Sequence, residues 1–318
     1  MTVVGSGTIR AGSGWLSLRR DGVMVVLDAG GPYLPRVVYW GGDLGPLSDR
    51  EMSALPLSAE QIRGPRPPDR GVPVTVSPTR AHGWPGWPGL TGHREGHASQ
   101  PLFALESAAV SEQDGGEAVA YRGTDTAAQL VLEGELVLTA EGVLKHRQTL
   151  TSTAPPGQPH YVVDDLITLL PLPEHVVELL DFTGRWSNEA QPQRHELGHG
   201  IWLREQRRGR TGPDTPLVLF AGDKPISYRH GEVWGAHLGW SGDQRYLVQR
   251  LNTGTTVIGV GEILAAGMVR VNGPTSGVDF YAPFGGVKGS SYGPREQGKA
   301  ARDFYTWSQT VTIAPARA

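Results

Sequence analysis

The sequence predicts an all-β protein built as a large antiparallel sandwich, and three observations support this fold class. Glycine (44 residues) and proline (25 residues) interrupt the 318-residue chain too often for long helices. Between these interruptions, short runs rich in β-branched and aromatic residues recur at the spacing of sandwich strands. Strand-like and helix-like segments do not alternate as they do in parallel α/β proteins.

The first strands are predicted in GVMVVLDAGGPYLPRVVYWGG, where residues 23–27 and 36–40 form two β-rich runs separated by glycine and proline. The stretch from residue 45 to residue 72 is polar and proline-rich, which is typical of a surface excursion. Within it, residues 58–63 are predicted to form a short helix.

The strongest hairpin signal is AQLVLEGELVLTAEGVLKHRQTLTST, in which two long strand-like runs flank Ala140, Glu141 and Gly142. Glycine supplies the positive φ that a three-residue loop requires. Further strand-like runs follow up to residue 264. From Met268 the texture changes to glycine-rich loops, a predicted helix at residues 295–305 and a final predicted strand at residues 306–313.

Charge and composition restrict the partners and the cellular location. The formal net charge of -3 gives no electrostatic reason to expect nucleic acid or an anionic membrane as a partner. The chain has no cysteine, which excludes disulfides, thiolate nucleophiles and Cys-based zinc sites and fits a reducing cytosol. We therefore expect a soluble, cytoplasmic protein that has no signal peptide, no membrane span and no cofactor.

The string His195-Glu196-Leu197-Gly198-His199 matches the zinc-protease pattern H-E-x-x-H. That pattern binds zinc only on a helix, where both imidazoles reach one ion. Two glycines at 198 and 200 each cost a helix about 1 kcal/mol, and Ile-Trp-Leu follows, which favours a strand. On a strand the two imidazoles stand about 13 Å apart, so we predict no metal site here.

Two other charged groups have a structural and a functional interpretation. Asp164 and Asp165 are adjacent and point to opposite faces of a strand, so they cannot act as an acid and a base on one substrate, and we expect them to be solvated at a sheet edge. The arginine-rich run at residues 204–210 fits a charged strand end better than a phosphate clamp. Neither group is predicted to be catalytic.

The loop HGWPGWPGLTGHREG, residues 82–96, is the main candidate for ligand binding. Trp84 and Trp87 make a rigid apolar plate beside the hydrogen-bonding groups of His93 and Arg94, and such plates suit the C–H faces of sugars. The alternative is that the tryptophans simply cover one end of the sandwich.

With that loop, the stretches LLDFTGRWSNEAQPQRHELGHGIWLREQRRGRTG and GEVWGAHLGWSGDQRYLVQRL resemble the N-terminal β-supersandwich domain of glycoside hydrolase family 36 α-galactosidases. The resemblance covers residues 1–266 and implies an antiparallel, galactose-mutarotase-like supersandwich in which RHELGHG belongs to a strand pair. It also implies that the two catalytic aspartates of complete enzymes lie on a (β/α)₈ barrel that follows this domain. Trp84, Trp87, His93 and Arg94 are then expected at a substrate edge.

Residues 267–318 instead resemble the C-terminus of an aldehyde dehydrogenase. The residues that carry this resemblance are Pro283, Phe284, Gly285, Gly286, Lys288, Ser290, Ser291, Gly293, Arg295, Glu296 and Gly298. The nucleophilic cysteine of that family has no counterpart in this chain. The sequence therefore predicts a fusion of two unrelated fragments, with a short α+β tail after residue 266.

These observations predict an accessory β-domain without the catalytic barrel, which binds an α-galactoside or another carbohydrate weakly or forms a homo-oligomer. The alternative is a structural module that self-associates without a ligand. A third hypothesis, a fragment of an aldehyde-oxidising oxidoreductase, is suggested by the tail alone.

Overall fold

The computed structural model describes residues 7–8, 14–59, 72–113, 115–209, 212–215, 218–229, 231–239 and 242–263. Contacts divide the chain into two units, Met1–Ile263 and Leu264–Ala318. The helix and strand predicted at residues 295–313, and the domain boundary predicted after residue 266, lie outside the described residues. Within its described residues, the first unit contains four β-sheets.

Sheet 1 has five strands and contains the hairpin that the sequence predicts most clearly. Its strands, in spatial order, are β1 (Gly7–Thr8), β6 (Ala104–Gln113), β7 (Gly116–Asp125), β8 (Leu130–Leu138) and β9 (Leu144–Ser152). β8 and β9 pair from Leu130 opposite Ser152 to Leu138 opposite Leu144. Gly142 in their turn has a φ of 75°, which confirms the predicted hairpin and the use of its glycine.

Sheet 2 also has five strands and lies at the centre of the unit. In spatial order they are β13 (Gly200–Gln206), β16 (Gln244–Arg250), β17 (Thr256–Ile263), β10 (Val162–Leu172) and β5 (Leu90–His93). We call inner the face that carries Leu90, Tyr246, Val248 and Ile258, because these side chains pack against the other sheets. The opposite, outer face carries Ile167, Leu169, Leu247 and Val257.

Sheet 3 has four strands and packs on one half of the inner face. Its strands are β12 (Asn188–Glu196), β11 (Glu178–Arg185), β14 (Val218–Gly222) and β15 (Val233–His237). Leu179, Leu219 and Trp234 of this sheet share one buried cluster with Tyr246 and Val248 of sheet 2. The antiparallel pairing within sheets 2 and 3 confirms the predicted fold class.

Sheet 4 has three strands, β2 (Trp15–Arg20), β3 (Val23–Asp28) and β4 (Arg36–Gly42), and two of them confirm the first predicted runs. Leu18, Val25 and Leu27 join sheet 1 and Leu90 in the largest buried cluster. The side chains on the other face of β3 pack on Met52 of helix α1 (Asp49–Ala59).

Helix α1 begins nine residues before the predicted helix, so the prediction at residues 58–63 was placed too late. Ser48 and Glu51 form a capping box: the backbone N–H and hydroxyl of Ser48 donate to the Glu51 carboxylate at 2.8 and 2.6 Å. This cap fixes the start of the helix. The sequence prediction missed it because Ser48 and Glu51 lie in a polar, proline-rich stretch that is typical of a surface excursion. Residues 60–63 lie outside the described residues.

A polar network also joins sheet 1 to sheet 2. The Nε2 and Nδ1 atoms of His146 lie 2.9 Å from the Tyr121 hydroxyl and 2.9 Å from the Thr168 hydroxyl. Burial lowers the pKa of His146 to about 4, so its imidazole is neutral at ordinary pH.

In the described residues, no helix has the length and apolar character needed to cross a membrane.

Candidate functional site

In the tryptophan loop, residues 82–96, the part from residue 82 to residue 89 crosses the outer face of sheet 2 and is fastened at both ends by backbone hydrogen bonds, whereas Leu90–His93 form strand β5 of that sheet. Gly83 has a φ of 85° and closes a short 3₁₀ turn, Arg80–His82. Gly89 donates to the Pro78 carbonyl at 2.7 Å, and Ile167 of β10 donates to the Gly89 carbonyl at 2.7 Å. The loop is therefore held against β10.

Trp84 lies in the core below the loop. Its side chain is 2% exposed and packs in a cluster with Ile167, Leu169, Leu247 and Val257 of the outer face. Its indole Nε1 donates to the Trp87 carbonyl at 2.7 Å. Trp84 therefore supports the loop from beneath, which is the role that the alternative interpretation of the sequence assigns to it.

Trp87 is only partly buried and lies over β16. Its backbone N–H donates to the Gln249 side-chain oxygen at 2.7 Å, and the guanidinium of Arg245 lies 4.5 Å from its ring centroid. A Cβ at Gly86 would lie 2.7 Å from that Gln249 oxygen, so only glycine permits the loop to approach so closely. Both contacts that hold Trp87, the backbone hydrogen bond and the ring–guanidinium contact, thus come from β16.

Arg245 is buried and is held by two carboxylates. Its guanidinium pairs with Asp165 at 2.6 Å and donates to Glu205 at 2.8 Å, and Thr91 donates to Asp165 at 3.0 Å. Hydrogen bonds from Arg207 and Arg245 hold the pKa of Glu205 below its usual value. The network spans sheet 2 from β13 to β5 beneath Trp87.

The position of Asp165 corrects the expectation that it is solvated at a sheet edge. β10 lies between β17 and β5, so Asp165 is on an interior strand, and it is buried. A buried carboxylate requires a counter-charge, which Arg245 supplies from β16. A β-bulge between Val163 and Asp165 interrupts the regular alternation at Asp164, so the separation of Asp164 and Asp165 onto opposite faces of the strand stays a prediction.

His93 and Arg94 lie away from the two tryptophans. His93 follows Thr91 on the same outer face of β5, at the far edge of sheet 2, and its Nδ1 accepts from the Gly96 N–H at 3.2 Å. Arg94 donates to the Ala128 carbonyl at 3.3 Å and the Ser152 hydroxyl at 3.1 Å, so it ties the loop to sheet 1. The structure brings Trp84 and Trp87 together but leaves His93 and Arg94 apart from them.

The H-E-x-x-H string lies on a strand, a turn and a second strand. His195 and Glu196 end β12, and Gly200 begins β13, which confirms the strand interpretation. The Nε2 atom of His195 lies 2.9 Å from Asp181, whose other oxygen pairs with Arg204 at 2.5 Å. His195 thus lies within hydrogen-bonding distance of a buried carboxylate between sheets 2 and 3.

His199 belongs to a separate set of contacts. Its Nδ1 lies 3.1 Å from the Leu251 carbonyl, while Arg250 donates to the carbonyls of Leu197 and Glu174 at 3.3 Å. This arginine fixes the turn between β12 and β13. Among the described residues, no group of three or more His, Cys, Asp or Glu side chains is placed to hold a metal ion.

In the described part of the arginine-rich run at residues 204–210, each arginine pairs with a carboxylate. Arg204 pairs with Asp181, Arg207 with Glu205 at 2.6 Å and Arg208 with Asp214 at 3.3 Å. This arrangement is that of a charged strand end, as the sequence favours. Arg210 lies outside the described residues.

The site thus consists of the Trp87 ring, which lies over a buried network of ion pairs. A partly exposed indole on a rigid support can stack on the apolar face of a sugar ring, while the polar groups around it fix its orientation. Sequence reasoning found the ring but missed Arg245, Glu205 and Gln249. A usable signal was present, because Arg245 and Gln249 flank Leu247 on one face of the strand QRYLVQR.

The sequence profile of the glycosyl hydrolase family 36 N-terminal domain matches residues 33–272, and that of the aldehyde dehydrogenase family matches residues 252–311. The α-galactosidase of Escherichia coli is 33% identical over 211 residues, which are 66% of this chain and 28% of that protein. The α-ketoglutaric semialdehyde dehydrogenase of Bacillus subtilis is 54% identical over 50 residues, 16% of this chain and 10% of that protein.

Solved structures share the fold at low sequence identity. The galactosidase domain of the α-galactosidase-sucrose kinase AgaSK superposes with a TM-score of 0.68 at 13% identity, covering 80% of this chain and 38% of that one. A variant of the α-galactosidase AgaA of Geobacillus stearothermophilus, in complex with raffinose, gives 0.65 at 17% identity, covering 78% and 37%. The chain thus spans well under half the length of these relatives.

Proposed function

The chain belongs to glycosyl hydrolase family 36 through its N-terminal domain, and on that premise we propose that the domain is an accessory carbohydrate-binding module for α-galactosides. The observation that carries the proposal is the partly exposed Trp87 ring, clamped to sheet 2 by Gln249 and Arg245. Relatives of the same fold are known in complex with raffinose and stachyose, which are α-galactosides.

Each residue of the predicted substrate edge has a distinct role in this proposal. Trp87 stacks on the sugar, and His93 borders the same face of sheet 2. Trp84 positions Trp87 through the hydrogen bond to its carbonyl, and Arg94 anchors the end of the loop on sheet 1. In this proposal Trp87 contacts the ligand, Trp84 and Arg94 hold the loop in place, and His93 lies apart at the far edge of sheet 2.

Calorimetric titration with raffinose tests the proposal, with sucrose as the ligand control because it lacks the galactosyl ring. We expect weak binding of raffinose and none of sucrose. Trp87→Ala should weaken raffinose binding about tenfold, a change equivalent to about 1.4 kcal/mol. Trp186→Ala is the matched control, because Trp186 is 86% exposed in the turn between β11 and β12, outside the tryptophan loop.

Equal raffinose binding by the Trp87→Ala and Trp186→Ala variants would exclude the tryptophan loop as the site. Absence of raffinose binding by the unmodified protein would reject carbohydrate binding altogether. Far-UV circular dichroism of each variant shows whether the fold is retained.

A second candidate function is self-association, and the exposed apolar side chains of β13 favour it. Ile201 is 43% exposed and Leu203 is 37% exposed, although both belong to the central sheet. The two side chains lie next to each other on one face of β13, and a contiguous exposed apolar patch is a feature of interaction surfaces. Sedimentation velocity over a concentration series tests this candidate, because a sedimentation coefficient that does not change with concentration would contradict it.

A further inference from the structure

Among the described residues, strand β13 forms a free edge of the central sheet. It pairs with β16 on one side only, from Gly200 opposite Arg250 to Gln206 opposite Gln244. No backbone hydrogen bond joins its other side to any residue in the described part of the chain. A row of unpaired N–H and C=O groups is a template for another strand.

Four other edge strands in the described ranges carry features that discourage strand addition. β12 has Pro192 at its centre, and β9 carries Lys145 and Arg147. β5 and β15 have only four and five residues. β13 has seven residues, GIWLREQ, with neither proline nor lysine.

The exposed side chains of β13 lie beside its free edge. Ile201, Leu203 and Glu205 lie on the outer face, because each pairs with a residue of β16 whose side chain is on that face. Trp202 and Arg204 lie on the inner face, where the guanidinium of Arg204 is 5.9 Å from the Trp202 ring. The strand thus has an apolar row on one face and an aromatic-cation pair on the other.

We propose that β13 pairs antiparallel with β13 of a second copy of this chain, with the two-fold axis at Leu203. This register sets Leu203 against itself and Trp202 of one copy against Arg204 of the other, so both faces of the strand are complementary to themselves. The two central sheets become one ten-stranded sheet. The proposal rests on self-association, the second candidate function, and adds its surface and register.

A second copy fits this edge better than an unrelated strand because the complementarity lies within one seven-residue sequence. In the proposed register Ile201 faces Glu205, whose charge is already satisfied by Arg207 and Arg245 of its own chain. The pairing therefore places no unpaired charge against an apolar side chain. Each contact away from the axis also occurs twice, as two-fold symmetry requires.

Cysteine cross-linking tests the register directly, because the chain contains no cysteine. Directly opposite residues in an antiparallel pair have Cβ atoms about 4.5 to 5.5 Å apart, within reach of a disulfide after small adjustment. Leu203→Cys should give disulfide-linked dimers under mild oxidation. In Ile201→Cys the two thiols would be four residues apart, about 13 Å, so we expect no rapid cross-link.

Val233→Cys is the matched control, because Val233 is 40% exposed on another edge strand, β15. Sedimentation velocity of the unmodified chain is measured in parallel. Dimers in solution with cross-linking specific to Leu203→Cys support the proposal. Dimers without that specificity overturn the β13 register but leave self-association standing, whereas a monomer at every concentration overturns both.

Discussion

The carboxyl group of Glu262 makes the stability of the domain depend on pH. Glu262 lies on β17 and pairs in register with Leu166 of β10 and with the fully buried Gln244 of β16. Burial raises its pKa from the ordinary 4.5 to about 7. The folded state therefore favours the protonated, neutral carboxyl.

The sign and size of the effect come from the linkage between protonation and folding. Between pH 4.5 and 7 the unfolded chain has lost this proton while the folded chain keeps it, so stability falls as pH rises. The full pKa difference sets an upper bound of about 3.4 kcal/mol at 1.36 kcal/mol per pH unit. Glu262 is partly exposed, and water that reaches the carboxylate reduces the expected loss to about 1 to 2 kcal/mol.

Glu262→Gln removes the ionisation while keeping the shape of the side chain. Urea denaturation of the protein and the variant, followed by circular dichroism at pH 5, 6, 7 and 8, gives the difference in unfolding free energy. We expect almost no difference at pH 5, and the variant to be more stable by about 1 to 2 kcal/mol at pH 8. Glu112→Gln, the same change at an exposed position of β6, is the matched control.

A difference between the protein and Glu262→Gln that does not change with pH would refute this reasoning. It would mean that the Glu262 carboxyl reaches water or a counter-charge in the folded state.

Three further changes test the packing and the charged groups. Gly134→Ala should lower stability by about 2 to 3 kcal/mol, because a Cβ there would overlap the Tyr121 ring; an unchanged melting temperature would contradict it. Asp181→Asn should cost about 2 to 3 kcal/mol in denaturant unfolding, because it leaves Arg204 half-buried without its counter-charge; a neutral effect would show that water replaces the carboxylate. Zinc or EDTA should leave the melting temperature unchanged, and a rise with zinc would restore the H-E-x-x-H string as a ligand set.

Local sequence signals predicted the strands whose neighbours in space are also neighbours in sequence. β3 and β4 are separated by a short glycine and proline loop, and β8 and β9 by a turn with its glycine at position 142. The glycines at 198 and 200, with the Ile-Trp-Leu that follows, likewise favoured a strand over a helix for the H-E-x-x-H string. In each case the turn residue and the period of the side chains agree.

The site depended on pairings between distant parts of the chain, which local patterns do not encode. The sequence predicts Asp165 at a solvated sheet edge because its partner, Arg245, lies 80 positions away. The sequence predicts Trp84 as part of a ligand-binding plate because the cluster that buries it comes from the distant strands β10, β16 and β17. The family resemblance supplied the fold, but the roles of these side chains required their three-dimensional neighbours.

Stacking of an α-galactoside on the tryptophan loop is tested most directly by indole NMR. The side-chain N–H signals of the nine tryptophans are recorded during titration with raffinose, after each is assigned with a Trp→Phe variant. We predict a saturating shift of the Trp87 signal, a smaller one for Trp84 and none for Trp186. Shifts confined to other tryptophans, or no shift at any raffinose concentration, would contradict the proposed binding site.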